Sequence, residues 1–162
     1  MHLTFTPMDE SAARAILSWQ YEPPYDLYNL DPAHAEEIIA DFLDPRNAYY
    51  AIRDRDDADA LVGFCCFGPD ARVPGGAYND DLLDIGLGVR PDLTGLGQGH
   101  HYARAVLDLA AHTFKPDGYR VTIAAFNRRA RRVWEKLGFQ ETQRFRGGRD
   151  HRPFVVMVAT EG

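Results

Sequence analysis

Hydrophobic and polar positions in the first part of the chain follow the period of an α-helix in two places. Residues 11–19 can form one helix, with Ser11 as its N-cap, and residues 31–42 can form another, opened by Asp31 and a following proline. Two consecutive prolines lie between them and prevent the first helix from continuing. The pattern therefore predicts two helices joined by the loop WQYEPPYDLYN.

The rest of the chain combines helical stripes with short apolar runs. Tyr102, Val106 and Leu109 share one face of a helix predicted over 101–114, and another helix over 127–138 is stopped by Gly138. Apolar or alternating runs predict strands at 48–54, 61–68, 82–90, 119–126, 139–146 and 153–160. The predicted order is ααβββαβαββ, an α/β (α+β) fold with a mixed sheet and helices on both faces.

The strand 82–90 has an unusual alternation. Its odd-numbered positions are apolar, whereas the other face carries only Asp84, Gly86 and Gly88. Because two of these three positions have no side chain, this face is predicted to leave room for a ligand to lie against the backbone.

Composition and charge narrow the function classes. The 162 residues suffice for one domain with a full core, so residues 1–162 are assigned to a single domain. No apolar run approaches the roughly 18 residues of a membrane helix, and the first residues lack the pattern of a secretory leader. A cytoplasmic protein is expected, and its net charge of −6 disfavours a nucleic-acid partner.

Cysteine and histidine positions indicate neither a disulfide nor a metal. Cys65 and Cys66 are adjacent, which is a poor geometry for a disulfide, and the six histidines have no metal-ligand spacing. No metal site is predicted.

The stretch TGLGQGHH places Gly95, Gly97 and Gly99 between a strand and a helix. Backbone N–H groups at such a turn, together with the helix dipole, favour an anion such as a phosphate. An ATP-binding P-loop would need a lysine and a hydroxyl residue after the last glycine, where His100 and His101 stand instead. The dinucleotide pattern GxGxxG also fails at position 100. A ligand is favoured over a plain tight turn, because one turn does not require three glycines.

A second motif lies in NRRARRVWEKLGF, residues 127–139. With both motifs the chain resembles the GNAT superfamily of N-acetyltransferases, which transfer the acetyl group of acetyl-CoA to an amine. The family pattern Q/R-x-x-G-x-G/A is matched by residues 94–99 except at its first position, Thr94. The pattern N-x-x-A-x-x-x-Y-x-K-x-G-F is matched at Asn127 and four further positions, but its tyrosine is Trp134 here.

The resemblance implies a mostly antiparallel sheet of six to seven strands, splayed between strands 82–90 and 119–126. It implies acetyl-CoA as the cosubstrate, with its pyrophosphate on the amides of the glycine stretch and its pantetheine arm along strand 82–90. Asn127 would contact that arm, and the arginine cluster of the second motif would contact the 3′-phosphate. The expected cofactor-binding residues are Leu87, Val89, Gly95, Leu96, Gly97, Gln98, Gly99, His100, Asn127 and Arg132.

Direct attack on the thioester requires an amine that has lost a proton, so a base is expected. Asp84 is the predicted base, because alternation places it on the face of Gly86 and Gly88; a solvent-facing aspartate is the alternative. The resemblance suggests the backbone N–H of Val89 as the donor to the thioester oxygen.

The group that protonates the departing thiolate is left open. In the family a tyrosine does this, and Trp134 cannot; water, Tyr102, Tyr119 or no acid at all are the alternatives. A covalent route through Cys65 or Cys66 is disfavoured, because no base is placed to activate either thiol.

The resemblance places the acceptor near the first two helices and the loop that joins them. The expected acceptor residues are Tyr21, Glu22, Tyr25, Asp26 and Tyr28. Aromatic faces and carboxylates suit a cationic amine. A small cationic amine or a protein N-terminus or lysine is expected as acceptor, without a nucleic-acid or membrane partner, and a homodimer stays open.

Two other functions stay open at this point. A non-catalytic acyl-CoA-binding sensor would keep the cofactor cleft and release no CoA with any amine. A different nucleotide-binding enzyme would bind ATP or NAD rather than acetyl-CoA.

Overall fold

In the computed structural model, which describes residues 1–160, the chain begins with strand β1, Leu3–Pro7. This strand is absent from the predicted order. It pairs antiparallel with β2, Tyr50–Asp54, and its Leu3 and Phe5 pack against the main core. Leu3 and Phe5 do alternate with two threonines, but so short a run does not by itself distinguish a strand from a loop.

The described residues contain four α-helices, close to their predicted bounds. They are α1 (Glu10–Leu17), α2 (Ala35–Leu43), α3 (Gly99–Phe114) and α4 (Arg128–Lys136). Asp9 rather than Ser11 caps α1, since its carboxylate accepts the N–H of Ala12 at 2.8 Å. Asp31 caps a short 3-10 turn that leads into α2. Within residues 1–160 no helix has the length and apolar character needed to cross a membrane.

The strands of the described residues form one seven-stranded sheet in the order β1-β2-β3-β4-β5-β7-β6. The strands after β2 are β3 (Ala60–Phe67), β4 (Leu83–Val89), β5 (Gly118–Ala124), β6 (Gln140–Gly147) and β7 (Arg152–Thr160). Neighbours pair antiparallel, except β4 and β5, which run parallel. The expected mostly antiparallel sheet is confirmed.

Different helices cover the two faces of the sheet. Val106 of α3 and Trp134 of α4 belong to the main core on one face. Ile16 of α1 and Phe42 of α2 form a smaller core on the other face, where Phe64 of β3 packs against them. Burial of these two apolar faces holds both helix layers on the sheet.

The parallel strands β4 and β5 stay paired over a short stretch. Leu83 stands opposite Tyr119 and Asp84 opposite Arg120, and beyond these rungs no pairing joins the two strands in residues 1–160. The strands therefore separate toward their carboxyl ends and leave a V-shaped opening. The expected splay is confirmed, and it positions the candidate site.

Candidate active site

The edge of β4 that faces the opening carries backbone groups that do not pair with a neighbouring strand in residues 1–160. Arg90, directly after the strand, donates its backbone N–H to the carbonyl of Val62 in β3 at 2.8 Å. Because hydrogen bonds to one neighbour alternate along an antiparallel strand, the backbone groups of the even-numbered residues of β4 are the ones that bond to β3. The N–H and C=O groups of Leu87 and Val89 consequently point into the opening. Because β5 has diverged at this level, these groups can pair with a bound chain as with an added strand.

The glycine face of β4 is filled, which corrects the prediction that a ligand lies against it. A Cβ on Gly86 would stand 2.7 Å from Sγ of Cys66, and a Cβ on Gly88 would overlap the ring of Phe64. Both side chains come from β3, opposite the two glycines in the ladder. The glycines make room for the neighbouring strand, and the access left for a ligand is along the strand edge.

The glycine loop presents a row of backbone donors. Within residues 1–160, no N–H group of residues 95–100 has a hydrogen-bond acceptor. Gly95 and Gly97 have φ of +74° and +76°, a conformation that residues with side chains rarely adopt. Because α3 begins at Gly99, the positive end of its dipole adds to these donors. The loop is therefore suited to an anion such as a pyrophosphate.

The side chains of this loop that were expected to bind the cofactor contribute less to the anion site than its backbone N–H groups do. Leu96 is 60% exposed, and Gln98 forms no side-chain cap on α3. The exposed His100 ring lies against that of His101, with centroids 4.0 Å apart. Arg132 is exposed and forms no ion pair within residues 1–160.

A cation that the sequence analysis did not single out from the arginine cluster lies beside the loop. Arg129 of α4 approaches Gly95 so closely that a Cβ there would overlap its Nη1. The same guanidinium lies over the ring of Tyr25, 4.1 Å from its centroid. A positive charge thus stands next to the row of free amides.

Asn127 joins α4 to the segment between α1 and α2, residues 18–31, which we call the tyrosine loop. Its Oδ1 accepts the N–H of Ala130 at 3.1 Å and caps α4, while its Nδ2 donates to the hydroxyl of Tyr28 at 3.0 Å. Tyr25 packs on Phe126, with ring centroids 5.6 Å apart. Two tyrosines of the loop therefore contact the segment that leads from β5 into α4.

Tyr21 reaches the opposite arm of the opening. Its hydroxyl donates to the carbonyl of Val89 at 2.7 Å, and its N–H donates to Oδ1 of Asn29 at 2.6 Å. Burial raises the pKa of Tyr21 to about 12, so its hydroxyl stays protonated at neutral pH. The rings of Tyr21 and Tyr28 meet edge to face, with centroids 6.3 Å apart. The tyrosine loop therefore spans the opening from β4 to α4.

Asp84 lies at the vertex of the opening, in a buried ion pair. Only 2% of the residue is exposed. Arg120 donates to both carboxylate oxygens at 2.7 Å, and Arg72 donates to Oδ2 at 2.8 Å. Both carboxylate oxygens are therefore occupied by guanidinium donors at this buried vertex. Asp84 thereby fastens the last rung between β4 and β5, a placement that does not favour the role of base that alternation predicted.

Several other side chains considered for the chemistry lie inside the core. Trp134, Tyr102 and Tyr119 are 5%, 3% and 5% exposed and belong to the main core. Burial raises the pKa of both thiols, that of Cys66 to about 12 and that of Cys65 further. Neither cysteine is therefore a nucleophile at neutral pH.

A groove of about 520 Å³ opens beside the tyrosine loop. One wall consists of residues 27 and 29–31 with the turn and helix α2 that follow, and the other is the turn between β6 and β7 with the adjoining start of β7. The titratable residues that line it are Asp31, His34, Glu37, Asp41, Arg149, Asp150 and Arg152. The volume is in the range of small-molecule sites, and four carboxylates against two guanidinium groups favour a cationic ligand.

The expected acceptor residues divide between the opening and the solvent. Tyr21, Tyr25 and Tyr28 contact the elements around the opening. Glu22 and Asp26 are exposed and do not line the groove. The carboxylates that line the groove come instead from the second half of the tyrosine loop, from α2 and from the β6–β7 turn.

Comparison with solved structures finds the same fold in N-acetyltransferases. AAC(6′)-Ib in complex with ribostamycin and coenzyme A is 16% identical with a TM-score of 0.77, over 99% of this chain and 94% of that one. A chimera of spermidine N-acetyltransferase SpeG from Vibrio cholerae and hSSAT is 16% identical with a TM-score of 0.74, over 99% and 96%. A GNAT-family acetyltransferase from Bacillus anthracis is 15% identical with a TM-score of 0.74, over 99% and 95%. No match was found among curated protein sequences.

The splayed sheet and the glycine loop at a helix N-terminus define an acyltransferase. The model of the acetyltransferase (GNAT) domain matches residues 2–140, most of the chain. The chain therefore belongs to the GNAT acetyltransferase family, as its two motifs predicted.

Proposed function

We propose that this chain, as a single domain, transfers the acetyl group of acetyl-CoA to the amine of a small cationic acceptor by direct attack. The observation that carries the proposal is the row of N–H groups at residues 95–100, which lacks acceptors within residues 1–160 and lies beside an open strand edge. Acetyl-CoA would supply an activated thioester. All other contributions come from the chain itself.

The residues around the opening fit coenzyme A along its length. The amides of the glycine loop, with Arg129 beside them, suit the pyrophosphate. The backbone groups of Leu87 and Val89 suit the amides of the pantetheine arm, and Asn127 stands on the opposite side of the opening. The N–H of Val89 would donate to the thioester oxygen. The bound coenzyme A of the AAC(6′)-Ib structure supports this assignment by analogy of fold.

The groove beside the tyrosine loop is the proposed approach of the acceptor. Its carboxylates would hold an ammonium group, and the aromatic rings of the loop would line the path to the opening. Of the structural neighbours, one is named for spermidine and one was solved with ribostamycin, and both compounds are small amines. Asp84 is proposed to hold the strands together and to take no part in proton transfer.

Binding and turnover test this function separately. We expect acetyl-CoA to raise the melting temperature of the protein, while ATP and NAD leave it unchanged. We expect CoA release with at least one of spermidine, an aminoglycoside and a lysine-containing peptide. A protein that binds acetyl-CoA and releases no CoA with any amine would be a sensor. A protein that does not bind acetyl-CoA would be neither an acetyltransferase nor an acyl-CoA sensor.

Replacing Arg129 by alanine is expected to weaken coenzyme A binding about tenfold, because a charge-assisted contact to phosphate is lost at a partly exposed site. Calorimetric titration at two salt concentrations measures the effect, and the salt dependence should fall with the lost cation.

The matched control is Arg104→Ala, which removes an exposed arginine on α3 outside the proposed site. It should leave the affinity unchanged. Equal losses in the two variants would mean that Arg129 contributes only to the overall charge.

A further inference from the structure

Position 134 offers no group that could assist the departing sulfur. Trp134 is 5% exposed and packs edge to face on Phe139 in the main core. Tyr102 and Tyr119, the other candidates weighed from sequence, are buried in the same core. A side-chain donor to the sulfur would therefore have to come from an element that borders the opening.

Tyr21 is placed for this role by its contact with β4. Its hydroxyl donates to the β4 backbone, at 2.7 Å from the carbonyl oxygen of Val89. That carbonyl and the N–H of Val89 point to the same side of the strand. A thioester whose oxygen accepts the Val89 N–H therefore lies within a few ångströms of the Tyr21 hydroxyl.

We propose that the Tyr21 hydroxyl donates a hydrogen bond to the sulfur of the departing thiol, an inference that rests on the proposed acetyl transfer. A pantetheine amide that pairs with β4 as an added strand would take the Val89 carbonyl as its acceptor. Tyr21 then loses its present acceptor and has its proton free for the sulfur. Asn29 keeps the Tyr21 backbone in place through the 2.6 Å hydrogen bond to its N–H.

The proton stays on Tyr21 throughout the step. Burial raises the pKa of Tyr21 to about 12, whereas a free thiol titrates near about 8.5, so the thiolate does not take the proton. The carbon–nitrogen bond forms, the carbon–sulfur bond breaks, and its electron pair goes to sulfur under the hydrogen bond from Tyr21. Overall, one proton leaves the nitrogen and one reaches the sulfur through solvent.

The test titrates coenzyme A on the protein, which requires no knowledge of the acceptor. The ultraviolet absorbance of the thiolate gives the pKa of the bound thiol in the unaltered protein and in Tyr21→Phe. Loss of a hydrogen bond to the charged sulfur should lower the acid dissociation constant of the thiol about tenfold to hundredfold in the variant. Cys65 and Cys66 stay protonated over most of the pH range of the titration, because burial raises the pKa of both thiols. The protein without coenzyme A serves as the blank.

Two further variants keep the test specific. Tyr50→Phe removes a tyrosine hydroxyl on β2, away from the opening, and should leave the pKa of the bound thiol unchanged. Asn29→Ala loosens the backbone of Tyr21 and should give an intermediate pKa. In turnover, Tyr21→Phe should lower kcat about tenfold at an unchanged KM for acetyl-CoA.

Each outcome decides one question. If coenzyme A does not bind the unaltered protein, the proposed function fails before Tyr21 is tested. If coenzyme A binds and its thiol has the same pKa in Tyr21→Phe, the sulfur contact is wrong. Tighter coenzyme A binding in Tyr21→Phe with an unchanged thiol pKa would also overturn the proposal, because Tyr21 would then only compete with the cofactor for Val89.

Discussion

Gly97→Val is expected to weaken coenzyme A binding at least about a hundredfold. Gly97 has φ of +76°, which valine avoids because of its branched Cβ. A Cβ at this position meets no heavy atom within 4 Å, so the cause is the backbone conformation and not a clash. If the loop changes its backbone conformation to accept valine, two or more N–H groups lose their contacts to phosphate, each worth about 1.5–3 kcal/mol. Calorimetric titration with coenzyme A measures the loss.

Two control variants distinguish a loss of the phosphate site from a general loss of stability. Gly97→Asn should bind within about tenfold of the unaltered protein, because asparagine tolerates the left-handed region. Gly138 has φ of +95° and equally open surroundings, but it lies after α4. Gly138→Val should lower the melting temperature and leave the affinity unchanged. If Gly97→Val binds coenzyme A as tightly as Gly138→Val, the phosphate site is not at residues 95–100.

Local patterns in the sequence were enough for the helices, for the strands after β1 and for the position of the glycine loop. These features depend on residues close together in the chain, such as the period of α3 or the glycines that precede it. The splay between β4 and β5 is different, because it depends on which strands become neighbours. It entered through the family resemblance, and no periodicity in the chain indicates it.

The errors at the site come from contacts between distant parts of the chain. Alternation correctly placed Asp84 on the glycine face of β4, but Arg120 and Arg72, which neutralise it, lie 36 and 12 residues away. The same holds for Phe64, which fills the space at Gly88. Residue type and spacing identify which face a side chain takes. They do not identify what another strand brings to that face.

The acidic wall of the groove could have been found from sequence. Asp31, His34, Glu37 and Asp41 are spaced by three or four residues, which places them on one side of the turn and helix that follow the tyrosine loop. The aromatic residues of the loop favoured Glu22 and Asp26, their neighbours in sequence, instead. No sequence pattern singles out Arg129, because residues 128–132 of the motif include four arginines. Only the packing of α4 against the glycine loop distinguishes Arg129 from the other three.

Arg120→Met is expected to lower the free energy of unfolding by about 3–5 kcal/mol, because it leaves the Asp84 carboxylate buried without its main partner. Arg120 is 3% exposed and donates to both carboxylate oxygens. Arg72→Met should cost less, about 1 kcal/mol, since its side chain is 28% exposed and donates to one oxygen of Asp84. Urea denaturation of both variants gives the comparison.

The double variant Asp84→Leu with Arg120→Met should recover much of the loss, because no unpaired charge remains in the pair. Asp84→Asn separates this structural role from the role of base that alternation predicted. A base would lose about a hundredfold or more in kcat with an unchanged unfolding energy. We expect the reverse, a loss of stability with kcat per folded molecule kept within a few-fold, because Asp84 holds the vertex from which β4 and β5 diverge. A large loss of kcat in a fully stable Asp84→Asn protein would return Asp84 to the chemistry.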